Sequence, residues 1–206
     1  VVVNTIFGVF AALAVTKYHF RGKKVLTTLI DVPVTVSPII AGLIFLLTFG
    51  RQSDLYPLLH DLGIKVVFAV PGIILATVFV TFPFVSRELI PILNAQGKDE
   101  EEAAALMGAS GYKIFRKITL PQMKWGLIYG IILCTARALG EFGAVNALSK
   151  TRGETFTLPL EIDALYMSGT DTSITAAFAV SSILVILAVL IARNILEHRD
   201  KGKEGW

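Results

Sequence analysis

Residues 66–85 read VVFAVPGIILATVFVTFPFV, a run of twenty residues without a single charge. An α-helix rises about 1.5 Å per residue, so roughly 20 apolar residues cover the hydrocarbon core of a bilayer. Working outward, residues 32–49 (VPVTVSPIIAGLIFLLTF) and 174–192 (ITAAFAVSSILVILAVLIA) are also uncharged, and so are residues 1–16. Residues 125–149 are apolar apart from Arg137 and Glu141. One such run alone could be a buried helix of a soluble protein. Several of them, in a chain of 206 residues that is 54% hydrophobic and only 17% charged, cannot be placed in a soluble core. The expected fold is therefore all-α, a polytopic transmembrane bundle with five spans over residues 1–206.

The chain opens at Val1 inside an apolar run, with no initiator Met, basic leader or cleavage site. This reads as a chain with an upstream part missing rather than as a signal peptide. Cys134 is the single cysteine, which leaves no disulfide framework and no cysteine metal site; it is expected to be a small core residue. His19, His60 and His198 fall near span ends on both sides and cannot converge. No metalloprotease, nucleophile-elbow or phosphate-loop motif is present, so no catalytic residue, metal or cofactor is expected in this chain.

The bases set the orientation. If residues 99–121 face the cytoplasm and the spans alternate, the inner segments are 17–31, 83–124 and 193–206. These hold Lys17, Arg21, Lys23, Lys24, Arg87, Lys98, Lys113, Arg116, Lys117, Lys124, Arg193, Arg199, Lys201 and Lys203. The outer segments hold Arg51, Lys65, Lys150 and Arg152 alone. Such an excess on one side is the positive-inside pattern, and bases spread along one membrane face do not make a nucleic-acid site. The first run must then travel from outside to inside.

Between two apolar runs lies the inner segment EEAAALMGASGYKIFRKITLP, residues 101–121. Asp99 followed by Glu102 has the spacing of an acidic capping box, and Glu100, Glu101 and Glu102 suit the positive end of a helix dipole. Ala103, Leu106 and Met107 share a helix face, and Gly108 is placed where a helix ends in a positive φ. Ser110 can cap a second short helix, with Ile114, Phe115 and Ile118 on an apolar face and Lys113, Arg116 and Lys117 on a basic one. Pro121 stops that pattern or resets it at the start of the next helix. The expectation is a helix-turn-helix within 99–121. An amphipathic loop resting on headgroups is the other reading, but consecutive glutamates are repelled by an anionic leaflet and point to a soluble protein partner.

The pattern Glu102, Ala103, Ala104, Gly108, Ile118, Leu120 and Pro121 resembles, with every spacing matched, the hallmark of ABC-importer permease subunits. The stretches KKVLTTLIDVPVTVSPIIAGL, WGLIYGIILCTARALGEFGAV and GETFTLPLEI extend the likeness over essentially the whole chain, toward the oxyanion branch and the W-type sulfate permease subfamily. The resemblance implies that the short acidic helix is a coupling helix docking on an ATP-hydrolysing subunit. It also implies a second permease subunit, a different but related chain, together with two ATP-binding subunits that hold ATP and Mg and an extracytoplasmic sulfate-binding protein. The place implied is the bacterial cytoplasmic (inner) membrane, among membrane lipid. The solute implied is sulfate or thiosulfate, with molybdate or tungstate as the alternative. Six spans are usual in the family, one more than the five here.

Within the spans, Arg137 and Glu141 stand four apart and so are expected to share one face of their helix. They read either as a self-neutralising structural pair or as part of an anion pathway. Gly140 and Gly143, with Ala136, Ala138 and Ala144, form a small-residue stripe for helix packing, expected at or near a second permease subunit, and Gly126 and Gly130 repeat the small-xxx-small spacing. Pro33, Pro38, Pro71 and Pro83 interrupt or begin spans. Thr35 and Ser37, beside Pro38, are candidate donors to an oxyanion if that helix is broken. Alternatively Pro33 starts a helix capped by Asp31, while Pro38 and Pro71 only kink. The outer loop 150–172 either meets a solute-binding protein or lies at the interface through Phe156 and Tyr166. A membrane enzyme or an ion channel is the reading from a different class. An enzyme would need catalytic groups beyond Arg137 and Glu141, and a channel would not need the spaced alanine–glycine pattern.

Overall fold

The computed structural model describes residues 1–169 and 171–201, and all side chains among them except those of 192, 193 and 195–201. Arg193, His198, Arg199, Lys201 and Lys203, which the sequence assigns to the inner side, fall outside the described side chains. Among the described residues all regular structure is helical. α1 is Val2–Lys17, α2 Lys23–Thr35, α3 Pro38–Phe49 and α4 Tyr56–Asp61. α5 (Val70–Thr81) and α6 (Pro83–Gln96) run on through Phe82 as one span of 27 residues. α7 is Asp99–Leu106 and α8 Gly111–Ile114; a π-helical turn, Phe115–Thr119, leads into α9, Leu120–Leu139. α10 (Gly143–Leu148), α11 (Leu158–Met167) and α12 (Thr172–Lys201) complete the chain.

All five apolar runs become helix, but not as five unbroken spans. Two stretches, Val70–Gln96 and Thr172–Ile191, are long and apolar enough to cross a bilayer unaided. α2 and α3 make a third only if counted together, because they meet at 106°. α1 is apolar but has 16 residues. The break between α2 and α3 has a local cause. Pro38 offers no N–H and disfavours the helical region for Ser37, which adopts ψ 133°, so Pro38 sits in the first turn of a new helix.

The alternative proline reading is corrected on three points. Pro33 lies inside α2 and is buried, rather than starting a helix. Asp31 pairs with Arg87 at 3.3 Å and caps nothing. Pro71 opens α5 instead of kinking a longer helix. The fifth run also differs, because α9 stops at Leu139, Gly140 ends it, and α10 starts afresh at Gly143.

Packing gives the bundle two ends. α1 lies along α6, and α6 along α9, around Ala12, Val85, Leu89, Leu93, Met123 and Cys134. A second cluster, Ala41, Ala76, Val80, Ala144 and Leu148, joins α3, α5 and α10. Both cores use small residues, as expected where lipid removes the hydrophobic drive between helices and close backbone approach must replace it. Gly8 lies against α6, and a Cβ added there would stand 2.6 Å from Val85 Cβ. At Gly42 the added atom would stand 2.5 Å from the backbone oxygen of Ala144. The small-residue stripe is used in the same way: Gly126 and Gly130 are buried against Ile92 and Val85, and Gly143 against Pro38 and Ile39. These contacts lie within the subunit, whereas Gly140 is exposed and Ala136 and Ala138 are half-buried.

A buried polar cluster ties α1, α5 and α9 together. Asn4 Nδ2 donates to Thr81 Oγ1 at 2.7 Å and lies 3.7 Å from Cys134 Sγ. Cys134 is therefore the small core residue expected, with a weak polar role. At the start of α12, Asp171 accepts hydrogen bonds from the Ser173 N–H and hydroxyl at 2.9 and 2.7 Å. These hold its carboxyl below the usual carboxylate range and cap the helix.

Replacing Gly42 with Ala should destabilise the bundle by about 1–3 kcal/mol, because the obstructing atom is backbone and cannot rotate aside. Thermal or denaturant unfolding of the purified complex measures this. An unchanged midpoint would mean that α3 and α10 are not in contact.

Candidate functional site

The segment 99–121, the expected connector, is built on α7, and its anchoring differs from the sequence expectation. Lys98, not Asp99, is the residue that precedes the helix; no side chain caps it, and the Glu102 N–H bonds to the Lys98 carbonyl at 2.9 Å. The acidic capping box is not formed, and Ser110 precedes α8 without a side-chain cap bond. The glutamates reach across to other elements instead. Glu101 Oε1 lies 3.0 Å from Lys17 Nζ and accepts a hydrogen bond from Thr119 Oγ1 at 2.6 Å. Glu100 Oε2 accepts from Gln122 Nε2 at 2.7 Å.

Lys17, the last residue of α1, also donates to the Gly97 carbonyl at 2.9 Å, and Lys98 Nζ donates back to the Lys17 carbonyl at 2.8 Å. Lysine at this position satisfies an end carbonyl and suits the negative end of the α1 dipole. Through these bonds the connector is fixed to the C-terminal ends of α1 and α6 and to the start of α9. All three ends meet at one side, as alternating spans require.

The turn after α7 is a Schellman closure. The Gly108 N–H bonds to the Ala105 carbonyl at 2.9 Å and the Ala109 N–H to the Ala104 carbonyl at 3.0 Å. Gly108 adopts φ +82°, the conformation expected of it, where a side chain would be strained. Pro121 does not stop the following helix. Its missing N–H and its ring are accommodated by the π turn at Phe115–Thr119, whose end bonds the Leu120 N–H to the Phe115 carbonyl.

The motif residues divide by face. Ala104 is buried against the bundle, and Ile118 and Leu120 are half-buried. Glu102 and Ala103 are exposed. Leu106 is 91% and Met107 81% exposed, an apolar tip that water does not favour and that no described residue covers.

The second candidate region is where two helix breaks touch. Gly143 packs against Pro38 and Ile39, so the break between α9 and α10 lies against the break between α2 and α3. Arg137 stands in the last turn of α9, while Glu141 lies beyond its end. They pair all the same: Arg137 Nη1 is 2.7 Å from Glu141 Oε2. That contact is not aligned as a hydrogen bond, so charge attraction holds it. Glu141 Oε1 accepts the Ala144 N–H at 2.8 Å, which places the fully buried carboxylate on the N-terminus of α10. Its partner's guanidinium keeps 30% of its surface open.

The two hydroxyl candidates separate. Thr35 donates to its own helix, to the Val32 carbonyl at 2.8 Å. Ser37 is exposed at the start of α3 with no side-chain cap bond. On the opposite side, the loop 150–172 is half helix through α11, and Arg152 Nε donates to Glu161 Oε1 at 2.8 Å. No group of three or more possible metal ligands occurs among the described residues.

Sequence reasoning counted Lys17 only as one inner base and gave Thr119 and Gln122 no role. Nothing in composition or spacing marks them, because their partners are about eighty and about twenty residues away. Glu88 follows the uncharged run that ends at residue 85. It is half-buried on α6, and its Cβ lies beside Gly130.

Over residues 4–201 the chain matches the family of binding-protein-dependent transport system inner membrane components, and it belongs to that family. Its relatives include the sulfate transport system permease protein CysW of Escherichia coli (strain K12), 43% identical over 205 residues, 98% of this chain and 69% of that protein. The CysW of Synechococcus elongatus is 48% identical over 198 residues, 95% of this chain and 68% of its own length. Among solved structures, a bacterial ABC transporter involved in import of the acidic polysaccharide alginate superimposes with TM-score 0.76 at 17% identity, covering 95% of this chain and 77% of that one. The MetNI methionine ABC transporter, in inward-facing conformations, gives TM-score 0.67 at 16% identity over 94% and 88%. Both show the fold, that of an importer permease.

The Lys17–Glu101 pair is largely buried (12% and 18% exposed), so its two members should behave as a unit. Lys17→Met and Glu101→Gln should each lower stability. The double variant should fall short of the sum by about 0.5–3 kcal/mol. A double-mutant cycle on the unfolding of the assembled complex measures this, and strict additivity would show the contact to be idle.

Proposed function

We propose that this chain is one of two membrane-spanning subunits of an ATP-driven sulfate importer in the bacterial cytoplasmic membrane. The observation that carries the reading is the connector: an uncovered apolar tip, Leu106 and Met107, at the end of a short helix bonded to α1 and to the start of α9. Such a tip suits the groove of a soluble partner, and its anchorage suits a lever. The partner would be an ATPase that holds ATP and Mg, since this sequence has no phosphate-binding loop. Two such subunits, a related second permease chain and an extracytoplasmic binding protein would complete the machine. The likeness to CysW proteins favours sulfate, with thiosulfate sharing its charge and tetrahedral shape, over molybdate or tungstate.

The crossing of the two helix breaks is the proposed place where the anion passes. The half-open Arg137 supplies positive charge, and the start of α3 at Ser37 supplies a helix N-terminus and a hydroxyl. Glu141 neutralises Arg137 in this conformation, so an incoming dianion has to compete with it. That competition gives the site a resting state with low affinity and lets a change in the break between α9 and α10 release the arginine. Thr35, whose hydroxyl is already bonded, has the weaker claim.

In the reconstituted complex with its binding protein, ATPase activity should rise with sulfate or thiosulfate and not with molybdate. Stimulation by molybdate alone would reassign the solute. Arg137→Leu in correctly assembled complexes should lower sulfate uptake about tenfold or more, the effect of losing a hydrogen bond to a charged group. Unchanged uptake would remove Arg137 from the pathway and leave the pair a structural one.

A further inference from the structure

At the end of the bundle opposite the connector, residues 46–68 surround a cavity of about 720 Å³. Its wall is largely apolar, built from the last turn of α3 (Leu46, Phe49), from Leu59 of α4 and from Val67 and Phe68. This volume lies in the range of sites that enclose one small organic ligand.

Two further features mark the cavity. Arg51 and Lys65 both line it, both are exposed, and neither has an acidic partner among the described residues. The nearby acids are engaged elsewhere or unpaired: Asp61 lies 3.9 Å from His60 Nδ1, and Asp54 makes no ion pair with either base. A third base, Lys150, stands 4.8 Å from the centre of the Phe68 ring, on the edge of the same wall. The outer side has four bases in all, Arg51, Lys65, Lys150 and Arg152, and three of them gather here. Where outer bases are so scarce, that gathering needs a cause.

The apolar and cationic parts are also ordered along the chain. α3 ends in Leu46, Leu47 and Phe49, and Gly50 and Arg51 follow directly. Apolar wall therefore gives way to positive charge where the helix leaves its apolar run. Phe68, which closes the wall, holds φ +56°, an uncommon conformation for a bulky residue that the surrounding packing must maintain.

We propose that this cavity binds one anionic phospholipid of the outer leaflet, with an acyl chain along Leu46, Leu59 and Val67 and the phosphate at Arg51 and Lys65. A free inorganic dianion fits poorly, because an apolar wall cannot replace its hydration. A neutral amphiphile would leave both bases unanswered. The inference requires only that the chain crosses a bilayer with this end outward; it does not depend on which solute the complex carries.

Native mass spectrometry of the whole complex, released from nanodiscs containing phosphatidylglycerol or phosphatidylcholine, tests it. The complex should retain one phosphatidylglycerol more firmly than phosphatidylcholine. Arg51→Gln and Lys65→Gln are surface changes, and each should weaken that retention about fivefold. Val67→Trp, which fills the wall and keeps both charges, should abolish it. Equal retention of the two lipids, or variants that retain phosphatidylglycerol as before, would overturn the proposal. So would displacement of the lipid by millimolar inorganic phosphate, which would make the site one for free oxyanions. Loss of binding-protein docking in the two charge variants with lipid retention intact would likewise overturn it, by assigning the bases to a protein partner.

Discussion

The ammonium group of Lys17 is where the ends of three helices and the connector come together. It answers the Gly97 carbonyl at the end of α6 and the Glu101 carboxylate of α7, while its own backbone carbonyl receives Lys98. Through Thr119, Glu101 carries the tie on to α9. A charge shared among these groups in a partly desolvated place is stronger than a surface ion pair, because salt and water screen it less. It ties the connector to the bundle and leaves the far side of α7, with its apolar tip, open to a partner, together with Tyr112, Lys113, Arg116 and Lys117. Force applied at Leu106 and Met107 would reach α1, α6 and α9 together.

The rest of the bundle is interrupted at two places that touch. Prolines and glycines end α2 at Thr35 and α9 at Leu139, and the two breaks lie against each other. Each break exposes backbone that a continuous helix would satisfy internally. Glu141 answers part of that demand at α10, and the same carboxylate neutralises Arg137. The cost of holding an arginine and a glutamate at this depth is thus shared between a salt bridge and a helix N-terminus.

Much of this was legible in the sequence, and what was not has physical reasons. Run length and composition gave the all-α membrane class. The positive φ of Gly108 followed from its position after a helical pattern. The capping box failed because spacing cannot tell whether a glutamate turns back to its own helix or reaches a distant lysine. The fifth run misled because apolarity continues through Gly140 while the helix does not, so Arg137 and Glu141 meet across a helix end. The stripe of Gly126 and Gly130 showed that a close contact exists but not with what, and α6 turned out to be the neighbour. Periodicity reports faces and lengths; it does not report partners remote in the chain.

The central claim is that the Leu106–Met107 tip stands beneath the membrane, on the cytoplasmic side, and is covered there by a soluble subunit. The only cysteine, Cys134, is buried, so a cysteine introduced by Leu106→Cys can be labelled against a low background. A membrane-impermeant maleimide should label it in inside-out vesicles stripped of peripheral subunits and fail to label it in intact spheroplasts. Adding back the ATPase subunits should protect it. Labelling in spheroplasts, or labelling that those subunits leave unchanged, would contradict the account.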